Sequence, residues 1–286
     1  MTPACADIRR ARPLLGTFVE IAAAGASRPA IERAIEAAFA AVAQVHRLMS
    51  FHDPDSDLAC LNRDAAARPV MVHPWIFELL EAALDLQRRS AGIFDIAAPA
   101  SRNVPRDRGI ELLPGRRVRF ANPNTAIDLG GVAKGFAVDR AIAMLRDHDV
   151  PQGLVNAGGD LAAFGPDAAM VSLRDPRDPR RIMAHVEITD EALASSGRQF
   201  DPFECSQTAD TAVIDPGTLR PARAAAGATV RARRCMVADA LTKIVMIAGE
   251  AAAPVLADYG ASAVFVSQDG DLRVSADWQD AVRLAA

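Results

Sequence analysis

The sequence predicts an α+β fold in which mixed, largely antiparallel sheets are flanked by helices. Short strands and helices alternate irregularly, without the strict βαβ order of a doubly wound sheet. The 286 residues are 50% hydrophobic, enough for a substantial core. No internal repeat, low-complexity run or linker divides the chain, so residues 1–286 are read as one domain.

Each element has a local reason. Residues 16–23 (GTFVEIAA) alternate in part and end at a glycine turn, the pattern of a strand. Residues 29–48 repeat Ile31, Ile35, Ala38, Val42 and Val45 at helical spacing, with Ser27 as the expected cap. Residues 50–56 are a polar loop with an Asp-Pro step, and Ser56 caps a short helix through Asn62. Residues 74–90 form a second amphipathic helix with Pro74 in its first turn. An apolar stretch, residues 91–100, is broken by Asp95. Residues 126–129 read as a short strand and 132–147 as the helix after it. A strand over 153–156 ends in the turn Ala157-Gly158-Gly159-Asp160. Residues 183–188 and 213–214 are further strands, and 235–248 is a strongly apolar helix. Residues 262–266 and 272–274 pair around Asp269-Gly270. The Ala/Arg-rich residues 220–234 are expected to form a surface loop.

Composition excludes several functions. The net charge is −4, the pI is near 5.8 and aromatics are only 5%, while the arginines are scattered or flanked by acids. That is no surface for nucleic acid. Cys5, Cys60, Cys205 and Cys235 form no Cys-x-x-Cys pair, which argues against a zinc knuckle and leaves a disulfide open. The five histidines are dispersed. The start MTPACADIRR lacks a basic-then-apolar leader, and no run reaches a transmembrane span; residues 244–253 are short and carry Glu250. A cytoplasmic protein is therefore expected, or a periplasmic one if the N-terminus was trimmed.

Three segments can carry chemistry. Gly130-Gly131 opens a helix bearing Lys134. Adjacent glycines let backbone approach a ligand, a helix start directs N–H groups at an anion, and Lys134 adds charge. Neither dinucleotide-binding nor Walker spacing fits, so a structural turn and a phosphate cradle both remain open. Gly158-Gly159-Asp160 is similarly a turn, or an acid holding a ligand's polar edge. Asp239 lies in an apolar helix with Thr242 and Lys243 on the same face. It reads as a buried Asp–Lys pair, a helix-start acid, or part of an oxygen cluster for Mg²⁺.

In order along the chain, these segments resemble the ApbE family of FAD:protein FMN transferases. The resemblance runs through PLLGTFVEI (13–21), LMSFHDPDSDLACLNR (48–63), AGIFDIAAPA (91–100), IDLGGVAKGFAVDRA (127–141), VNAGGDL (155–161), LASSG (193–197), VIDP (213–216) and VADALTK (237–243). It implies an ApbE-like fold and an enzyme that binds FAD with Mg²⁺. Such an enzyme cleaves the pyrophosphate, moves FMN to a threonine or serine of an acceptor protein, and releases AMP. It further implies Leu15, His52, Ile93, Phe94, Asp95, Asp128, Lys134, Asp160 and Val213 as FAD contacts. The metal would be held by the Gly131 carbonyl, Asp239 and Thr242, with Lys134 and Asp239 the catalytic groups.

Three positions depart from the family pattern. Lys243 stands where a threonine usually follows the aspartate, so either Thr242 reaches the metal or the Lys243 ammonium takes its place. Ala212 stands where a histidine is common, with Asp210 nearby as a candidate replacement, and Arg198 stands where an acid is common. These departures keep two alternatives in view: an FAD-binding protein without transferase activity, and an FAD pyrophosphatase.

Overall fold

The computed structural model describes residues 6–25, 27–97, 109–197 and 211–285. The chain opens with β1 (Ala6–Leu14) and β2 (Thr17–Gly25), then α1 (Arg28–Met49), α2 (Asp57–Asp64), β3 (Val70–Met71) and α3 (Pro74–Arg89). Next come β4 (Ile110–Leu113), β5 (Arg117–Phe120), α4 (Ala133–Asp147), β6 (Gln152–Ala157), β7 (Asp160–Phe164), β8 (Ala169–Asp175), β9 (Asp178–Ile188) and β10 (Glu191–Gly197). The last part holds β11 (Ile214–Asp215), β12 (Arg220–Pro221), β13 (Ala225–Ala232), α5 (Cys235–Ala248), α6 (Ala253–Asp258), β14 (Ser262–Ser267), β15 (Leu272–Val274) and β16 (Arg283–Leu284).

An eight-stranded sheet in the order β1-β2-β6-β7-β10-β13-β14-β15 organises the molecule, and each neighbouring pair is antiparallel. Alternation along its strands assigns the faces. On β7, Ala162 and Phe164 enter the larger core beneath α1, α4 and α5, whereas Leu161 and Ala163 enter a second core. That second core is closed by Leu173 of β8, Ala184, Val186 and Ile188 of β9, and the fully buried Trp278. The sheet is thus covered on both sides, which explains why β7 is buried at every position. Each large aliphatic side chain enclosed in these cores contributes roughly 1.5–3 kcal/mol.

The helices form for the reasons legible in their sequences. Ser56 caps α2 by accepting the Ala59 N–H at 3.0 Å. Pro74 opens α3, and His73 caps it through Nδ1, which accepts the Trp75 N–H at 3.1 Å. Ser27 departs from expectation: it occupies the N-cap of α1 in extended conformation, but its hydroxyl makes no capping bond. Pro29 in the first turn has no N–H to satisfy, which reduces the need for one.

Other expectations need correction. Residues 220–234 are not a surface loop, because Ala225–Ala232 is an interior strand paired with β10 and β14. Alanine is depleted in strands, yet here small side chains let α5 lie close over β13. Among the described residues, 126–129 make a single bridge, Ala97 to Ile127. The Asn62 side chain already takes both backbone groups of Ile127, donating to its carbonyl and accepting its N–H, each at 2.9 Å. The helical stretch Cys235–Asp258 is long and apolar enough to cross a membrane by length and composition, contrary to expectation, but its α5 part packs on β10 and β13 in the core. Cys60 and Cys235 are free thiols. Cys5, Arg198, Cys205, Asp210 and residues 98–100 lie outside the described residues.

Helices α4 and α5 cross at Gly135. A Cβ there would meet the Cys235 carbonyl oxygen at 2.4 Å and Asp239 Cβ at 2.8 Å, atoms of the helix backbone and its first side-chain carbon that cannot step aside. At Gly131, four residues earlier, a Cβ would meet nothing nearer than Phe94 Cε2 at 3.7 Å. Gly135→Ala is therefore expected to cost about 1–3 kcal/mol through overpacking, while Gly131→Ala leaves stability near wild type. Urea denaturation of both variants checks the contrast; equal midpoints would contradict this account of the crossing.

Candidate active site

The site grows from the two helix starts. Neither Val132, the N-cap of α4, nor Arg234, the N-cap of α5, offers a side-chain cap. Each helix is capped by the other instead. Asp139 of α4 accepts the Cys235 N–H at 2.7 Å and the Met236 N–H at 3.2 Å. Asp239 of α5 accepts the Gly135 N–H at 3.0 Å through Oδ2. These are first-turn donors without intrahelical partners, and a carboxylate there also meets the positive end of the helix dipole. Burial pushes the Asp139 carboxyl above its ordinary range, against the two N–H bonds that favour its ionised form.

Around Asp239 the charges close into a four-residue cluster. Lys243, one turn further along α5, is ion-paired to Asp239 Oδ1. Lys134, in the first turn of α4, is ion-paired to Asp160 and lies 3.9 Å from the same Asp239 oxygen. Both carboxylates are fully buried, whereas the lysine side chains keep 34% (Lys134) and 17% (Lys243) exposure and so reach solvent. Burial alone would lower Lys134, but the charges of Asp239 and Asp160 outweigh it and hold the ammonium above its ordinary value. Burial and the neighbouring Asp239 push Asp160 up to about 6, against the pull of both lysines.

Five of the sequence motifs are knitted around this cluster. Asn62 fixes Ile127, and the Asp128 N–H donates to the Ile96 carbonyl at 2.7 Å. Phe94 is buried, its ring against Gly131, and its N–H donates to Ser90 Oγ at 3.0 Å. The turn before Asp160 needs its glycines: Gly158 and Gly159 have φ of +64° and +100°. A Cβ on Gly158 would meet Thr17 Oγ1 at 2.7 Å, so this turn packs on the β1–β2 turn containing Leu15.

Other residues singled out from the sequence lie further from the charges. Leu15 is half-buried with φ +56°. His52 is exposed, its ring edge-on to Phe51. The Asp128 carboxylate is exposed and accepts the Gly130 N–H at 2.8 Å, closing the glycine turn. Asp95 accepts the Ala97 N–H at 2.8 Å, and Ile93 and Val213 are half-buried against the larger core. Among the described residues, none of Leu15, His52 and Val213 joins the lysine–aspartate cluster by hydrogen bond or ion pair. Asp139, the reciprocal cap, was not anticipated; its only signal is an acid inside IDLGGVAKGFAVDRA. Ser196, whose hydroxyl pairs with Thr242 Oγ1 at 2.7 Å, was likewise missed.

A cavity of about 620 Å³ opens on the opposite face of the sheet, between it and β8–β9. It meets the cluster at the strand ends, where Gly158, Gly159, Ser195 and Ser196 line it and the Ser195 N–H reaches Asp160 Oδ1 at 3.3 Å. Its size suits a small-molecule site.

The proposed ligands of a magnesium ion do not fit one as arranged. Asp239 Oδ1 holds an ammonium and Oδ2 a backbone N–H. Thr242 Oγ1 donates to the Asp239 carbonyl at 2.7 Å and pairs with Ser196. Magnesium demands near-octahedral oxygen donors, and the side-chain oxygens of Asp239 and Thr242 are already engaged.

The chain is 29% identical to the FAD:protein FMN transferase of Treponema pallidum (strain Nichols), over 97% of this chain and 89% of that protein. It is 27% identical to the FAD:protein FMN transferase of Rhodobacter capsulatus, over 95% of this chain but 58% of that one. The crystal structure of the ApbE protein of Thermotoga maritima superposes with a TM-score of 0.84 at 25% identity, covering 96% of this chain and 99% of that one. The ApbE family profile matches residues 15–266, and the chain belongs to the ApbE family.

Proposed function

We propose that this protein transfers FMN from FAD to a serine or threonine hydroxyl of an acceptor protein and releases AMP. One observation carries the reading: two ammonium groups, Lys134 and Lys243, stand on buried carboxylates at the start of α4 in a chain similar throughout to an FAD:protein FMN transferase. In the reaction the acceptor oxygen attacks the FMN phosphorus and loses its proton. The bond from that phosphorus to the bridging oxygen breaks, and AMP leaves with the electron pair. Charge builds on phosphoryl oxygens, and Lys134 offsets it from a fixed position that needs no reorganisation. Asp160 holds Lys134 there, and Asp239 holds both helices' charges in register. A second reading, FAD hydrolysis or binding without transfer, is favoured by Ala212, which brings no proton acceptor to the position where the family commonly has histidine.

Incubation with FAD and candidate acceptor proteins separates these readings. In-gel fluorescence of an acceptor together with AMP release is expected. AMP and free FMN without labelling would indicate hydrolysis, and intact bound FAD would indicate a binding protein. Lys134→Met is expected to slow transfer by about 10²–10³, the effect typical of removing one donor to a developing oxyanion.

Asp160 gives a signature independent of turnover. Its folded value of about 6 lies above the ordinary 3.8. Between those values the folded protein keeps a proton that the unfolded chain has lost, so stability falls as pH rises through the interval. The contribution is on the order of 2–3 kcal/mol. Asp160→Asn removes it while preserving an acceptor for Ser195. The stability of wild type relative to the variant is thus expected to decline from about pH 4 to about pH 6.5 in urea titrations; a pH-independent difference would refute the assignment.

A further inference from the structure

We propose that Lys243, together with Lys134, presents from within the chain the ammonium N–H donors that meet the substrate's diphosphate in the place of a divalent cation, so that FAD binds here without metal. The inference rests on the flavin reading above and concerns how that site holds its substrate.

Geometry points to the substitution. The Lys243 ammonium is paired with Asp239 Oδ1. Its stem passes Gly131, where a Cβ would lie 3.9 Å from Lys243 Cε. The Lys243 side chain therefore runs past Gly131 to Asp239, two of the residues that the family resemblance implies as metal ligands. Lys134 Nζ lies 3.9 Å from the same carboxylate oxygen, so an arriving cation would meet two ammonium groups on its ligand. Asp239 Oδ2 is committed to the Gly135 N–H, and Thr242 Oγ1 to its own helix carbonyl and Ser196.

Charge count agrees. Two buried carboxylates, Asp160 and Asp239, face two ammonium groups, so the cluster has no excess negative charge to draw in a divalent ion, and toward an anion it presents ammonium N–H donors rather than net positive charge. Each ammonium has three donors in rotatable array, and both side chains keep partial solvent exposure, so N–H groups remain for an anion. The arrangement is local to one helical turn: Lys243 is four residues after Asp239, on the same face of α5. Threonine at that position would remove the ammonium and return an oxygen donor.

The test uses the full chain and two readouts. FAD affinity, followed by flavin fluorescence, is measured in EDTA and in magnesium. Free Mn²⁺, a probe for the divalent site, is followed by its electron paramagnetic resonance signal with and without FAD. Wild type is expected to bind FAD equally, within about twofold, in both media and to leave the Mn²⁺ signal unchanged. Lys243→Met is expected to lose roughly tenfold or more in EDTA, the value of a hydrogen bond to a charged group. Lys243→Arg should retain metal-free binding. Lys243→Thr should bind weakly in EDTA, recover in magnesium and deplete free Mn²⁺. Wild-type binding that requires magnesium, or a wild-type FAD complex that depletes Mn²⁺, would overturn this inference alone. So would Lys243→Met binding as tightly as wild type in EDTA. FAD bound in neither medium would overturn the flavin reading and this inference with it.

Discussion

The reciprocal capping of α4 and α5 is the constraint on which the rest of the site depends. Each helix begins without a side-chain cap of its own, and each receives a carboxylate from the other, Asp139 to α5 and Asp239 to α4. A capping side chain is typically worth about 1 kcal/mol, and a partly buried charge at a helix end up to about 2 kcal/mol. The geometry requires the helices to approach as closely as Gly135 permits. The glycine, the two aspartates and the two helix starts therefore form one unit. Altering any of them moves the atoms that position Lys134 and Lys243.

That unit also decides the electrostatics. Asp239 divides its two oxygens, one fixing the backbone of α4 and the other holding Lys243. Asp160 enters from the sheet, on the same face as Ala162 and Phe164, and pairs with Lys134. Burying a carboxylate is costly unless it is paired and hydrogen-bonded. Here the cost is offset within the cluster, with the lysines on its solvent-facing side. The result is cationic donors fixed at the start of a helix whose dipole has the same sign, an arrangement suited to a phosphate. The cavity across the sheet and this charged corner share the Gly158–Gly159 turn and the end of β10, so a ligand lying over the strand ends would meet both.

Much of this fold was legible because its signals are local. Helix α5 was read with its bounds unchanged, since an apolar run ending at Gly249 gives both its period and its stop. The β14–β15 pair followed from alternation around Asp269-Gly270. Strand β13 was misread because alanine and arginine carry a loop-like composition, and its membership in the sheet comes from α5 lying over it. The Asp239–Lys243 pair was among the readings of a helical turn and is what the structure contains. Asp139 was invisible as a cap because its partner N–H groups are 96 and 97 residues away, and capping rules operate on neighbours.

The segment IDLGGVAKGFAVDRA shows why local inspection stalls at a glycine turn. Gly130 is closed by Asp128, Gly131 leaves room for Phe94 and Lys243, and Gly135 admits α5. Lys134 faces Asp160, while Asp139 reaches back to the start of α5. Five positions in one short run thus each have a packing or hydrogen-bonding partner, and for four of them, Gly131, Lys134, Gly135 and Asp139, that partner is distant in sequence. A phosphate loop of the usual kind concentrates its function in consecutive backbone N–H groups, which spacing can reveal. Here the two ammonium groups come together only when two helices and a strand end are assembled. The family resemblance could be found by matching many weak segments in order for the same reason: each is weak alone because its chemistry is completed by the others.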